Sequence, residues 1–225
     1  MKKNLFRKSS NLRLRIISGI FMGVAFITAI FFIRPLFFVL MIGVAAGMLA
    51  EWHDMTHTKS NYLYSGLLII PIPIASLLYI SNIDDIGWLL FTFFAIIWCV
   101  DSVAMFVGKL VEGPKLAPTL SPKKTISGLL GGVAAAALLP SLLNLIPGYD
   151  ITNYVPTSQI TLLFQFAFLG IVAQMSDLFI SYFKRKFKIK DSGNIIPGHG
   201  GMLDRFDSIT LTAPIVAFYL NGQLG

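Results

Sequence analysis

The chain runs in long apolar stretches cut by short polar ones. Seven apolar blocks stand out, approximately Ile16–Ile33, Leu36–Ala50, Tyr62–Ile80, Ile86–Val107, Ile126–Ile146, Ile160–Ile180 and Met202–Leu220. Each is near the ~20 apolar residues that an α-helix needs to cross about 30 Å of hydrocarbon. The pattern predicts an all-α, polytopic helical membrane protein with about seven transmembrane helices. The second block is short, and the seventh is unbroken only from Ile209 to Leu220 with Pro214 inside it, so these two are candidates for tilted, kinked or re-entrant helices. The loops leave no room for a soluble domain, and residues 1–225 read as a single integral membrane domain.

Composition agrees. Of 225 residues, 55% are hydrophobic and 13% charged, with a mean hydropathy of +0.74, far more apolar than a typical water-soluble domain. Cys99 is the lone cysteine and lies in the fourth block, which excludes an internal disulfide and a cysteine metal site. The basic N-terminus followed by an apolar run imitates a signal peptide, but the run exceeds the usual length and six more blocks follow.

Lys and Arg are retained on the cytoplasmic side of membrane helices. Seventeen of the 18 fall in the tail 1–15, at Lys59, in the loop 108–125 and in the loop 181–207 or at their edges; only Arg34 lies on the other side. The opposite loops, Ser81–Asp85 and Pro147–Gln159, contain none. The expected arrangement is a cytoplasmic N-terminus, a basic cytoplasmic tail (1–15) and two cytoplasmic loops, 108–125 and 181–207. Topology alone accounts for the tail, but not for the order of charges in the two loops.

Asp101 lies 15 residues after Ile86, about 22 Å along a helix, inside the hydrocarbon. A carboxylate there costs about 2.5–3.5 kcal/mol, so a partner, a metal or a watery cavity is expected, unless Asp101 simply caps a shorter helix. In Ser121-Pro122-Lys123-Lys124-Thr125, proline fixes the backbone, two ammonium groups are placed to meet phosphate oxygens, and Thr125 is placed to cap the next helix, whose free N–H groups attract anions. No G-x-x-x-x-G-K-[ST] phosphate loop occurs.

The second loop is richer. If the sixth block continues as helix, Asp177, Ser181, Lys184 and Arg185 share one face at i, i+4, i+7 and i+8, and Asp204 and Asp207 share another at i, i+3. With Lys190 and Arg205 between them, the carboxylates suit Mg²⁺ and the bases suit phosphate, the pairing a nucleotide requires. Gly198, Gly200 and Gly201 would let the backbone approach a ligand. The bland alternative is a solvated charge run. His53 and His57 have i, i+4 spacing but no H-E-x-x-H, and read as an interfacial loop. Gly128, Gly131 and Gly132 suit close helix packing. His199 has no evident serine nucleophile.

Residues Ser181 to Asp207 resemble the signature of the phosphatidate cytidylyltransferase (CDP-diacylglycerol synthase) family, S-x-x-K-R-x4-K-D-x-G-x3-P-x-H-G-G-x-x-D-R-x-D. Ser181, Lys184, Arg185, Lys190, Asp191, Gly193, Pro197, His199, Gly200, Gly201, Asp204, Arg205 and Asp207 all match, thirteen positions over 27 residues. The resemblance extends to Asp177-Leu178-Phe179, to Leu116-Ala117-Pro118 with Ser121–Thr125, and to Arg15-Ile16-Ile17-Ser18. It implies an enzyme of a bacterial-type inner membrane with its active site facing the cytoplasm, which makes CDP-diacylglycerol and diphosphate from CTP and phosphatidate with Mg²⁺. It implies metal on the acids matching Asp177 and Asp204; by their placement Asp101 and Asp207 take second-rank metal or water-ordering roles. Asp177, Asp204, Asp207, Lys190 and Arg205 are the catalytic candidates, and Ser121, Lys123, Lys124, Thr125, Ser181, Lys184, Arg185 and His199 the substrate-binding ones. The implied partners are CTP, phosphatidate and membrane lipid, with no nucleic acid; a homodimer and a second, monovalent ion stay open.

The residues fit this chemistry on their own terms. A lipid phosphate is already anionic near neutral pH and attacks a nucleotide α-phosphorus without a dedicated base, so the obstacle is charge repulsion, which positioned cations relieve. Two family acids are absent: Ser127 and Ile180 stand where the family usually has Glu. The remaining alternatives are a CTP-dependent lipid kinase, a cytidylyltransferase for another lipid phosphate, and an anion transporter suggested by the intramembrane Asp101.

Overall fold

Proline sets where several apolar blocks begin and break. The computed structural model describes residues 2–224, and the side chains of residues 16–59 and 61–223. The basic side chains of the tail 1–15 lie outside the described residues. Helix α1 (Lys2–Phe31) gives way to α2 (Arg34–Thr56), which carries Pro35 in its first turn, where a missing N–H leaves no hydrogen bond unmade. Pro71 has the same place in α4 (Pro71–Ile83), so the third block is divided at Ile70 into α3 (Ser60–Ile69) and α4. Then come α5 (Trp88–Leu110), strands β1 (Lys115–Ala117) and β2 (Ser121–Thr125), α6 (Ile126–Leu143), a short 3-10 turn at Ile151–Asn153, α7 (Gln159–Lys186), the single turn α8 (Leu203–Phe206) and α9 (Ile209–Leu224).

The structure is mostly helical, and among the described residues five helices are long and apolar enough to cross a membrane: Arg34–Thr56, Asn61–Ile83, Trp88–Leu110, Ile126–Leu143 and Gln159–Lys186. Seven were expected. The apolar part of α1, Ile16–Phe31, and α9 are shorter, because charge precedes the first and the polar stretch around Asp204 to Ser208 delays the second. Large side chains such as Phe21, Phe106, Phe164 and Phe218 point outward and are at least two-thirds exposed. In water that shell would drive aggregation; against hydrocarbon it is the favourable surface.

Two loops differ from their reading in the sequence. The segment 108–125 contains an antiparallel hairpin, with Lys115 opposite Thr125 and Ala117 opposite Ser121. The segment 181–207 becomes a loop only after Lys186, because α7 carries on through Lys184, Arg185 and Lys186, cations that favour the negative end of a helix.

Helix α6 packs closely between α5 and α7. A Cβ on Gly128 would lie 2.6 Å from the Ala104 carbonyl oxygen, and one on Gly131 2.8 Å from Val107, so these glycines set the α5–α6 distance, as their spacing predicts. Helices α4 and α7 both pack on α9. Trp52 is buried, donates from Nε1 to the Tyr62 carbonyl at 2.8 Å and meets the Phe183 ring at 4.9 Å, which fixes α2 against α3 and α7. The hairpin, the start of α6, the end of α7 and α8 are thereby gathered around the C-terminal half of α5.

Candidate active site

Strand β2 runs directly into α6, and Thr125 at the junction has an extended backbone and accepts a hydrogen bond from the Gly128 N–H at 3.1 Å. The cap expected from the sequence is present. This geometry carries Lys124 over α7. Its ammonium lies 2.5 Å from Asp177 Oδ2 and donates to Gln174 Oε1 at 2.8 Å. Gln174 Nε2 in turn donates to Asp101 Oδ1 at 3.2 Å, and Ser208 Oγ reaches Asp101 Oδ2 at 3.5 Å. Asp101 thus has the partners its intramembrane position requires, and it also faces a cavity of about 740 Å³. Lys109, Lys123, Lys124, Thr125 and Gln174 line the same cavity, which is large enough for a ligand of several hundred Å³.

The second cluster adjoins the first through Asp177. Ser181 donates to Asp177 Oδ1 at 3.4 Å, one helical turn away. Lys184 is buried and places its ammonium 2.7 Å from Asp204 Oδ1 and 3.9 Å from Asp207 Oδ2. The other oxygen of Asp204 accepts from the Ser192 N–H at 2.9 Å. Ser176 donates to the Asp207 carbonyl at 2.5 Å and accepts from the Leu211 N–H at 3.0 Å, pinning α8 and the start of α9 to α7.

Asp204 and Asp207 both lie before α9 and outside the five long apolar helices. Burial alone would raise the Asp204 carboxyl, but the Lys184 ammonium and the Ser192 hydrogen bonds outweigh it and hold the pKa below the usual carboxylate value. Asp207 moves the other way: burial and then the neighbouring Asp177 charge raise it well above that value, against a smaller pull from Lys184. The two acids of one turn are therefore poised oppositely.

The other candidates, apart from Lys123 in the cavity wall, separate from this centre. Arg185 shares the α7 face by spacing, but its guanidinium donates to the backbone carbonyls of Leu120 at 3.1 Å and Ile189 at 2.9 Å, tying the hairpin to the loop after α7. Arg205 is exposed and donates to the His199 carbonyl, at 2.6 Å from Nη2. The His199 ring meets Ser18 Oγ on α1 at 3.1 Å through Nδ1. Lys123 and Lys190 are exposed, and Ser121 sits in the hairpin opposite Ala117. Gly198 and Gly200 have positive φ, as a tight turn requires, but Gly201 is hemmed in by Ser192 and Glu51. Its missing side chain makes room for protein atoms, so the expectation that it approaches a ligand is corrected. His53 and His57 stack at 5.8 Å on the exposed end of α2.

Two polar residues at the site carry no mark in the sequence reading. Gln174 lies three residues before Asp177, on the same helical face, and is 2% exposed. Glu51 follows directly on the second apolar block and is 3% exposed. Like Asp101, Glu51 is an acid set against an apolar helix, a placement that calls for a partner. Ser127 donates to the Glu112 carbonyl, and Ile180 is fully buried in the core, so neither stands in for a family acid.

Among the described residues no three of His, Cys, Asp and Glu surround one point as a ready metal site. The donor chemistry nevertheless fits a hard divalent ion, because Asp101, Asp177, Asp204 and Asp207 offer only carboxylate oxygen.

The sequence profile of the cytidylyltransferase family matches residues 61–222. The chain is 56% identical over 216 residues to the phosphatidate cytidylyltransferase of Rickettsia bellii, covering 96% of this chain and 93% of that protein. It is 53% identical over 217 residues to that of Rickettsia felis, covering 96% of both. The phosphatidate cytidylyltransferase of Bacillus subtilis is 43% identical over 143 residues, covering 63% of this chain and 51% of that one. On a match over most of its length, the chain belongs to the cytidylyltransferase family, with phosphatidate cytidylyltransferases as its relatives.

Proposed function

We propose that the chain is an integral membrane enzyme that converts CTP and phosphatidate into CDP-diacylglycerol and diphosphate, at the cytoplasmic face of the membrane. The observation that carries the reading is the meeting of Lys124 and Asp177, which joins the cation-lined cavity to the carboxylates of the second loop. The identity to phosphatidate cytidylyltransferases along nearly the whole chain supports the same activity. The charge bias, with 17 of 18 basic residues on one side, supports a cytoplasmic N-terminus and site. With α1 and α9 counted beside the five long apolar helices, the spans number seven.

An oxygen of the lipid phosphate attacks the α-phosphorus of CTP. A new P–O bond forms, the bond from that phosphorus to the bridging oxygen breaks, and its electron pair leaves with diphosphate. The attacking group is already an anion, so the residues serve to hold and neutralise. Lys109, Lys123 and Lys124 line the cavity where a triphosphate would gather charge, and the positive end of the α6 dipole adds to that attraction. Lys124 keeps Asp177 and Gln174 in place, and Lys184 keeps Asp204. Asp177 and Asp204, with Asp207 and Asp101 in support, would hold Mg²⁺, which when bound supplies positive charge to the phosphates.

The test uses the purified full chain in detergent with CTP labelled at the α-phosphate, phosphatidate and Mg²⁺. A labelled lipid and free diphosphate are expected, with both lost on chelation and restored by added Mg²⁺. No labelled lipid while a control enzyme works would overturn the reading, and release of CDP would make the protein a lipid kinase. Activity that survives chelation would remove the metal from it.

A further inference from the structure

We propose that Glu51 is a positioning residue of the active site, holding Asp204 in place from a different helix without touching substrate. The inference rests on the reading of Asp204 as a site acid. Glu51 ends the apolar part of α2 and is 3% exposed. Three donors converge on its carboxylate. Oε1 accepts from the Met202 N–H at 2.8 Å, and Oε2 accepts from the Leu203 N–H at 2.8 Å and from Ser192 Oγ at 2.7 Å.

Met202 and Leu203 open α8, the turn that carries Asp204, and Met202 supplies no side-chain cap of its own. Glu51 provides that cap across the fold, an anion on the positive end of the turn. Ser192 is the second arm: its hydroxyl is held by Glu51 while its N–H donates to Asp204 Oδ2. Glu51 therefore fixes both the backbone that bears Asp204 and the donor that orients its carboxylate.

The glycines of the loop fit this role. A Cβ on Gly193 would stand 2.6 Å from Glu51 Oε1, and one on Gly201 would stand 2.8 Å from Oε2 and 2.0 Å from Ser192 Oγ. Both ends of the loop close onto one carboxylate, with no space for a side chain between. Trp52, the next residue, is locked between Tyr62 and Phe183, so α2 cannot rotate to withdraw Glu51.

The full chain in detergent is compared with Glu51→Gln and Ser192→Ala by amide hydrogen exchange and by steady-state kinetics. Glu51→Gln keeps the shape but sets an NH₂ against donors. It is expected to speed exchange over residues 192–207 while leaving α5, α6 and α7 unchanged, and to lower kcat about 100-fold with KM for CTP within about threefold. Ser192→Ala cuts one arm only and is expected to lose about tenfold, with the same local pattern. A kcat within about twofold of the parent in either variant overturns the proposal, as does exchange that rises equally along the whole chain. If the parent chain itself makes no labelled lipid, the functional reading fails, and the exchange pattern still decides whether Glu51 clamps the loop.

Discussion

The Lys184 ammonium on α7 lies 2.7 Å from Asp204 and 3.9 Å from Asp207, with the three side chains 8%, 13% and 14% exposed. Removing one partner of such a buried pair typically costs about 3–5 kcal/mol, because the other charge is left without compensation. The two halves of this pair are not equivalent. Lys184→Met strands both acids, whereas Asp204→Asn leaves Asp207 beside the ammonium. Lys184→Met is therefore expected to lower the thermal unfolding midpoint in detergent by more than Asp204→Asn does, while both lose at least about 100-fold in turnover. Equal loss of stability would show that Asp207 does not share the lysine. Full turnover by Asp204→Asn would remove that acid from the chemistry.

Gln174 bridges Lys124 and Asp101, one oxygen and one nitrogen of a single amide serving two elements. Gln174→Leu keeps the volume and removes both hydrogen bonds, leaving Lys124 with Asp177 and Asp101 with Ser208. A hydrogen bond to a charged group contributes about 1.5–3 kcal/mol, so kcat/KM for CTP is expected to fall about 10- to 100-fold. Gln174→Glu places a third negative charge beside Asp101 and Asp177 and is expected to lose more. Steady-state kinetics with varied CTP measure both, and the opposite ranking would mean that Lys124 needs charge rather than the bridge.

What the sequence discloses about this site divides along a physical line. The apolar helices are legible because each is a run of adjacent residues, and Lys184 facing the same way as Asp177 is legible because helical spacing fixes a face. Spacing does not fix a partner. Arg185 lies on the same face as Lys184, yet its planar fork is taken up by the carbonyls of Leu120 and Ile189, which come from segments distant in sequence. Gln174 is uncharged, so it raises no alarm inside an apolar block. The hairpin escapes because three and five residues with a proline inside carry no alternating pattern. The sequence marks Glu51 as an acid beside an apolar run but hides what it holds, because its three donors belong to residues 141 to 152 positions away.

Ser127 and Ile180, the two positions where the family usually has Glu, differ in what surrounds them. Ile180 is fully buried and belongs to the hydrophobic core beside Phe183. A carboxylate introduced there finds no cation within the described pairs, since Lys124 is held by Asp177 and Lys184 by Asp204. Burying it unpaired costs several kcal/mol, or forces it to stay protonated. Ser127 is only half-buried, at the edge of the hairpin, and its hydroxyl is spent on the Glu112 carbonyl. Ile180→Glu is therefore expected to cut the yield of folded protein and to lower the unfolding midpoint sharply, while Ser127→Glu keeps a midpoint within a few degrees of the parent. Size-exclusion profiles and thermal unfolding in detergent read the difference. A folded, active Ile180→Glu would mean that an existing cation turns to meet it, and so that the Lys124 and Lys184 pairs are exchangeable rather than fixed.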